Sequence, residues 1–239
     1  MVRRHHLEYG ESAISVIADD SFLPCIREAV LEARASIEAV IASDPFFAST
    51  MEPYDLPVPE GVPRRMCEAS ALCGVGPMAA VAGAIAEHAV RAAMREGCPC
   101  VLIDNGGDIA IHSDREIRVG LYGGPRPLSL LVPPVGDVLG ICSSSGRIGP
   151  AISLGEADIA TVISPNPTLA DAAATRLGNL ARSDDPAHLR ACLDDLLSIE
   201  GVSGAILGVG GALALQGDVP PLGAAGPVDH LATRRQLGP

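Results

Sequence analysis

One stretch of the sequence decides the fold: residues 74–111 read GVGPMAAVAGAIAEHAVRAAMREGCPCVLIDNGGDIAI. Pro77 follows a Gly-Val-Gly turn and suits the first turn of a helix, where its missing N–H would be unpaired anyway. Small and apolar residues then dominate, which predicts a helix that is packed closely on most sides and ends at Gly97. The apolar run 101–103 predicts a buried strand, and the polar turn 104–108 after it carries two glycines that let backbone approach a ligand.

Composition limits the classes of function. A chain of 239 residues can bury a sizeable core, as one domain over residues 1–239 or as two entwined halves. Its net charge of −12 argues against a nucleic-acid surface, which needs clustered basic residues, and aromatic residues make up only 3%. The Ala- and Gly-rich helices favour close packing and leave a homodimer open.

The sequence also bears on location. It contains no apolar run of about 20 residues, so we expect no membrane span, and no apolar signal core follows the first basic residues. Seven cysteines at irregular spacing fit reduced thiols better than a disulfide framework. We therefore expect a cytoplasmic protein.

Hydrophobic periodicity predicts mixed secondary structure along the rest of the chain. Helices are predicted from 21 to 42, from 167 to 180 and from 186 to 199. Strands are predicted at 13–17, 116–122, 128–132, 138–142, 159–163, 205–209 and 212–215. The Ser113-Asp114 corner predicts a hairpin between 109–111 and 116–122. These elements favour an α+β fold in which mixed or antiparallel sheets pack against long helices.

Two segments are rich in proline or glycine. Residues 45–65 contain five prolines, which predicts an extended loop. Its apolar residues favour packing over the core, and an interdomain linker is the alternative. Residues 217–239 are rich in glycine and proline, which favours a flexible tail.

The sharpest candidate for chemistry is Ala-Asp-Ala-Ala-Ala-Thr at 170–175. Asp171 and Thr175 are four residues apart on a predicted helix and share one face, where they can offer two oxygen ligands to Mg²⁺. The alternative is purely structural, with Asp171 stabilised by the helix dipole and Thr175 bonded back to its own helix.

Several motifs occur in one order: Asn-Gly-Gly-Asp at 105–108, Ser-Ser-Gly at 144–146 and Ala-Asp-Ala-x-x-Thr at 170–175. Together they resemble the ApbE-like superfamily, whose characterised members are FAD:protein FMN transferases. The segment Val-Gly-Pro-Met-Ala-Ala-Val-Ala-Gly at 75–83 is similar to the signature of an uncharacterised bacterial and archaeal branch of it. The resemblance to this branch covers nearly the whole chain, whereas that to the transferases rests mainly on residues 74–180.

The resemblance implies an ApbE-like fold, Mg²⁺ and a flavin nucleotide such as FAD. Asp171, Thr175 and the backbone carbonyl of Ala86 are the implied cation ligands. The implied contacts to the flavin or its phosphates are Asn105, Gly106, Gly107, Asp108, Ser144, Ser145 and Gly146. Glycine turns expose N–H groups to phosphate, and a divalent cation neutralises a pyrophosphate, so the physics agrees.

The chain departs from the transferases at two places. Glu87-His88 stands where they have Lys-Gly, and their His-x-x-Asp-Pro-x-Thr-Gly segment is missing between Arg147 and Pro167. The sequence names no catalytic residue, so whether the chain is a flavin transferase or another enzyme stays open. Two alternatives remain: a sulfur-metabolism protein linked to homocysteine biosynthesis, using Cys67, Cys73 and Cys142, or a non-catalytic ligand-binding or assembly protein.

Overall fold

A computed structural model describes residues 2–9, 12–55, 57–121, 128–144 and 155–224. It confirms the α+β class: antiparallel sheets pack against helices. An eight-stranded sheet has the order β1-β2-β3-β4-β7-β8-β9-β10, and a three-stranded sheet has the order β11-β6-β5. The strands are β1 Val2–Tyr9, β2 Ser12–Asp19, β3 Cys100–Asn105, β4 Asp108–Ser113, β5 Ile117–Leu121, β6 Leu128–Val132, β7 Val135–Ser144, β8 Ile159–Ser164, β9 Gly204–Val209, β10 Ala212–Gly217 and β11 Leu222–Ala224.

The helices all have bounds close to those that their sequences predict, except α2 and α3, which the sequence analysis missed. They are α1 Leu23–Ser43, α2 Phe46–Ser49, α3 Val62–Cys73, α4 Val81–Arg95, α5 Pro167–Leu180 and α6 Pro186–Leu197. A short 3₁₀ turn, Pro77–Ala80, precedes α4. The Asn166 side chain caps α5 and the Asp185 side chain caps α6.

The large sheet separates two hydrophobic cores. Its small residues, such as Ala110, Cys142 and Ala160, face the helices, whereas Ile109, Ile141 and other large residues face the three-stranded sheet. Period-two alternation along the strands produces this sorting. The helix side carries small residues because α5 lies close: a Cβ at Gly140 would stand 2.5 Å from Pro167 Cα.

The predicted hairpin between residues 109–111 and 116–122 is wrong. β4 pairs with β3 and β7, while β5 pairs with β6 in the second sheet. Val119 and Leu121 of β5 are buried in the second core, so the chain crosses from one layer to the next after Ser113. Alternation within a strand is the same whichever sheet the strand joins, so the pattern could not distinguish the two arrangements.

The segment 45–65 packs on the core, as its apolar residues predict. Phe47 is fully buried and meets the Tyr54 ring edge-on, with ring centroids 5.1 Å apart. A Cβ at Gly76 would stand 2.0 Å from the Thr50 carbonyl oxygen, so this segment also touches the turn before α4. The extended-loop prediction is wrong for Phe46–Ser49, which form α2, and for residues 62–65, which begin α3.

Of the predicted tail 217–239, the structure describes residues 217–224. Leu222–Ala224 forms β11 and pairs with β6, and residues after 224 lie outside the described part of the chain. Among the described residues, no single helix has the length and hydropathy to cross a membrane. By length and composition alone, Val62–Cys73 and Pro77–Arg95 pass that test as a pair bent by 105°.

Candidate functional site

Polar residues collect at one end of the large sheet, on the side that faces the helices. Asn105 and Asp108 flank the β3–β4 turn, and Asp108 pairs in register with Cys142 of β7. Because side chains alternate along a strand, Ser144 lies on the same face as Cys142, and Ser143 points to the other face, where its hydroxyl bonds Thr161 at 2.8 Å. The structure therefore brings together two of the predicted motifs.

Asp171 reaches this face from α5. Its Oδ2 accepts a hydrogen bond of 2.8 Å from the N–H of Gly83, in the first turn of α4. Ala80, the N-cap residue of α4, makes no side-chain capping bond, so Asp171 caps α4 from a neighbouring helix. The approach is tight, because a Cβ at Gly83 would stand 2.4 Å from the carbonyl oxygen of Pro167 and 2.8 Å from Asp171 Cβ.

The carboxyl groups of Asp171 and Asp108 lie within hydrogen-bonding reach of each other, and we call them the acid pair. Burial raises the pKa of Asp171 to about 7, against the opposing effect of N–H groups of Gly83 and Ala82. Burial also raises the pKa of Asp108 well above its ordinary value, and the neighbouring Asp171 and Asp104 charges add to this. Both shifts favour the protonated, uncharged forms of the two carboxyl groups.

Two oxygen atoms at this end of the sheet are buried without a hydrogen-bond partner among the described residues: Asp108 Oδ1 and Ser144 Oγ. Asp108 as a whole residue is half-buried, but this oxygen is shielded from solvent. Ser144 is 6% exposed. Buried polar atoms normally have partners, so both atoms point to a group that binds there.

The turn between β3 and β4 has the conformation that its glycines permit. Gly106 and Gly107 have φ angles of +75° and +111°, which favour glycine. Asp104 faces the other way and accepts a bond of 2.9 Å from the N–H of Gly107. Asn105 donates to the carbonyl of Ala82 at 3.3 Å, which ties the turn to the start of α4. The exposed Gly106 leaves backbone accessible at the rim of the site.

The remaining predicted site residues lie on α4 or α5 or fall outside the described part of the chain. Thr175 is half-buried on α5, one turn beyond Asp171 and on the same helical face. Ala86 is buried in α4, one turn beyond the residues that meet Asp171, in the interior of the helix. Ser145 and Gly146 lie outside the described residues.

Glu87 stands where the transferases that the sequence resembles have a lysine, and in this structure it forms a buried contact between two helices. It is 3% exposed, accepts 2.8 Å from Arg91 Nε and accepts 2.6 Å from the hydroxyl of Thr168. Thr168 precedes Asp171 by three residues on α5, so Glu87 fixes α5 against α4. Sequence reasoning missed this role and that of Gly83, although a glycine in an Ala-rich helix is a signal of close approach.

Two cysteines border the acid pair. Burial raises the pKa of Cys73 to about 12. Burial, together with the nearby charges of Asp108 and Asp171, also raises the pKa of Cys142 well above its ordinary value. The nucleophilic form of cysteine is the thiolate, which this environment disfavours. Cys67 lies on α3 and is only partly buried.

The oxygen atoms present fit a hard cation. The site offers carboxylate, hydroxyl and backbone oxygens, which are the ligands that Mg²⁺ prefers, usually with only one or two protein carboxylates. The described residues hold no group of three or more His, Cys, Asp or Glu arranged for a metal ion. A cation here would therefore complete its shell with hydroxyls, water or ligand oxygens.

Comparisons with known proteins identify the family and the fold. A family model described as "AbpE bacteria" matches residues 1–198. A UPF0280 protein of Methanothrix thermoacetophila is 45% identical over 227 residues, which cover 93% of this chain and 94% of the relative. Another, from Archaeoglobus fulgidus, is 40% identical over 236 residues, which cover 98% and 100%.

Solved structures share the fold at low sequence identity. The apo form of the flavinyl transferase ApbE of Pseudomonas stutzeri has a TM-score of 0.55 at 12% identity, covering 91% of this chain and 94% of that one. The ApbE protein of Thermotoga maritima also has a TM-score of 0.55, at 13% identity, covering 91% and 97%. The chain has the fold of the ApbE flavin transferases and is similar to UPF0280 proteins over most of its length. It belongs to the AbpE bacteria family.

Proposed function

We propose that this protein binds a flavin nucleotide together with Mg²⁺, at the end of the sheet where the acid pair lies. One observation carries the proposal: Asn105, Asp108, Ser144 and Asp171, which come from three separate motifs, gather on one face beside the start of α4. Solved relatives of the same fold are flavin transferases, which supports a flavin over other nucleotides.

Asp171 and Thr175 would hold the cation, with the Ala86 carbonyl as a further predicted ligand. When bound, Mg²⁺ supplies positive charge that neutralises the ligand's phosphates. Asp171 is held in place by the N–H of Gly83 at 2.8 Å, and Asn105 fixes the glycine turn against α4. The exposed backbone at Gly106 and the segment 144–146 would contact the flavin nucleotide.

A thermal-shift titration with FAD, FMN and ATP, each with and without Mg²⁺, tests the binding. A bound ligand stabilises the folded protein by about 2.7 kcal/mol at a concentration a hundred times Kd. We expect FAD to raise the melting temperature only when Mg²⁺ is present. This rise should be lost in Asp171→Ala and should persist in Glu200→Gln, which changes an exposed acid. No Mg²⁺-dependent shift with any nucleotide would overturn the proposal.

We further propose FMN transfer as the reaction that this binding serves. Breaking the pyrophosphate of FAD to move FMN to an acceptor releases AMP, which chromatography detects. AMP release that depends on Mg²⁺ and on Asp171 would support transfer. Tight FAD binding without AMP release, in the presence of candidate protein acceptors, would instead indicate a non-catalytic binding protein.

A further inference from the structure

We propose that Asp108 and Ser144 are further ligands of the cation at Asp171, so that the site offers two carboxylates and a serine hydroxyl. This inference rests on the proposed function, because it concerns the same cation. It assigns Asp108 and Ser144 to the metal, whereas the sequence motifs alone predict that they contact the flavin.

Two buried oxygen atoms at this end of the sheet lack hydrogen-bond partners among the described residues. Asp108 Oδ1 and Ser144 Oγ are both buried without a partner among the described residues, and both side chains lie on the helix-facing side of the sheet end. The acid pair adds a second carboxyl within hydrogen-bonding reach of Asp108. Oxygen atoms from β4, β7 and α5 thus lie on the same face at this end of the sheet, where one bound cation would supply the missing partners.

The neighbouring acids have partners within the chain. Asp104 accepts the N–H of Gly107 at 2.9 Å, and Glu87 accepts from Arg91 and Thr168. Asp108 also interacts with the N–H of Ser143 and the thiol of Cys142, but its Oδ1 has no partner among the described residues. Among the described residues, no arginine forms an ion pair with Asp108 or Asp171. The acid pair therefore lacks, in the described part of the chain, the positively charged partner that Glu87 has in Arg91.

The negative charges of Asp108 and of the ligand's phosphates also favour a cation between them. A carboxylate repels a phosphate, so Asp108 cannot contact the phosphates of a flavin nucleotide directly while it is ionised. A cation between them converts that repulsion into attraction. Asp108 can therefore belong to a phosphate-binding motif if it binds the metal that the phosphates also bind. Mg²⁺ accepts such a shell of one or two carboxylates, hydroxyls, water and phosphate oxygens.

Calorimetric titration of the protein with Mn²⁺, in the presence and absence of FAD, tests the assignment. We expect Asp108→Asn and Asp171→Asn each to weaken Mn²⁺ binding by at least about tenfold, and Ser144→Ala to weaken it by about threefold. Glu87→Gln is the matched control, because it changes a buried acid of the same helix interface, and it should stay within about twofold of the wild-type Kd. Thermal unfolding of each variant without Mn²⁺ checks that it folds.

The outcomes separate the two proposals. Loss of binding in Asp171→Asn with wild-type binding in Asp108→Asn would overturn this inference and leave the proposed function standing. Wild-type binding in Ser144→Ala would remove Ser144 from the ligand set. No Mn²⁺ binding by the wild-type protein, even with FAD, would overturn both. Should Asp108→Asn not fold, Asp108→Ser carries the same expectation.

Discussion

Two acidic centres are buried between α4 and α5, and they differ in the source of their counter-charge. Glu87 has its own partners, with Arg91 Nε at 2.8 Å and the Thr168 hydroxyl at 2.6 Å. Asp171 lies about one turn beyond Thr168 on α5, and Gly83 lies one turn before Glu87 on α4. Asp171 accepts from the Gly83 N–H at 2.8 Å and has a second acid beside it. Among the described residues, the first centre has a positively charged partner and the second has none.

The difference shows which half of the interface is structural and which half is built to bind. A buried carboxylate is costly unless it is paired and hydrogen-bonded. Glu87 meets that condition with the protein alone, so its contribution should not depend on ligands. The acid pair has no positively charged partner among the described residues, so its contribution should depend on both pH and divalent metal.

Replacing Glu87 with alanine should have the largest effect on stability. The change leaves Arg91 and Thr168 without their buried acceptor, and we expect the free energy of unfolding to fall by about 2–4 kcal/mol. The half-exposed Arg91 side chain can turn to water, which keeps the loss below that of a fully buried pair. Urea unfolding measures it.

The loss in Glu87→Ala should be the same with and without Mg²⁺. Glu87→Gln keeps an acceptor for Thr168 and should lose less. A loss in Glu87→Ala smaller than about 0.5 kcal/mol, the range of ordinary surface changes, would contradict the structural role.

Gly83→Ala should break the contact between the two helices at the acid pair. Its Cβ would stand 2.4 Å from the Pro167 carbonyl oxygen, and this collision with backbone outweighs the roughly 1 kcal/mol that alanine gains in a helix. We expect a net loss of about 1–2 kcal/mol in the free energy of unfolding.

The matched control for Gly83→Ala is Gly136→Ala. A Cβ at Gly136 has no atom within 4 Å, and the residue is exposed on β7. Its stability should change by less than about 0.5 kcal/mol. Equal effects of the two substitutions would show that α4 and α5 do not pack as closely as described.

The two acidic centres also differ in how much of each the sequence predicts. The α5 helix follows from local signals, since Asn166 caps it, Pro167 begins it and its apolar positions repeat with helical period. The meeting of Asn105 and Asp108 with Asp171 was expected only through resemblance to a family. Spacing along one chain does not fix which distant segments approach each other.

The missed features are those that depend on tertiary context. β1 buries only Leu7 among its described side chains, so it lacks the alternation of a half-buried strand. Glu87 reads as a solvated helix residue until α5 is placed against it. The raised pKa values of Asp108 and Asp171 depend on burial and on the proximity of residues 63 positions apart, and no local pattern carries that information.

Asp108→Asn should stabilise the protein at alkaline pH when divalent cations are removed. The folded pKa values of the acid pair are raised, to about 7 for Asp171, so the pair's contribution is complete below about pH 4 and is lost as pH rises through 7. At pH 8 with EDTA, we expect the variant to exceed the wild type by about 1–2 kcal/mol in unfolding free energy.

The pH profile of the difference between Asp108→Asn and wild type is the decisive measurement. Both proteins contain the same histidines, so their titration cancels in the difference. The advantage of the variant should shrink towards pH 5, where the wild-type pair is protonated. A difference that does not change between pH 5 and 8 would show that burial does not raise the pKa of Asp108 in the folded protein.

Thr175→Val should have the smallest effect on stability and still separate the two halves of the interface. Valine nearly matches threonine in shape, and Thr175 is half-buried, so the unfolding free energy without metal should change by less than about 0.5 kcal/mol. The hydroxyl is a proposed cation ligand, so the stabilisation by Mg²⁺ and FAD should fall clearly in the variant. Thermal unfolding with and without both ligands measures the two quantities on one sample. A full Mg²⁺-dependent shift in Thr175→Val would mean that the cation is held by the acid pair without α5's second oxygen.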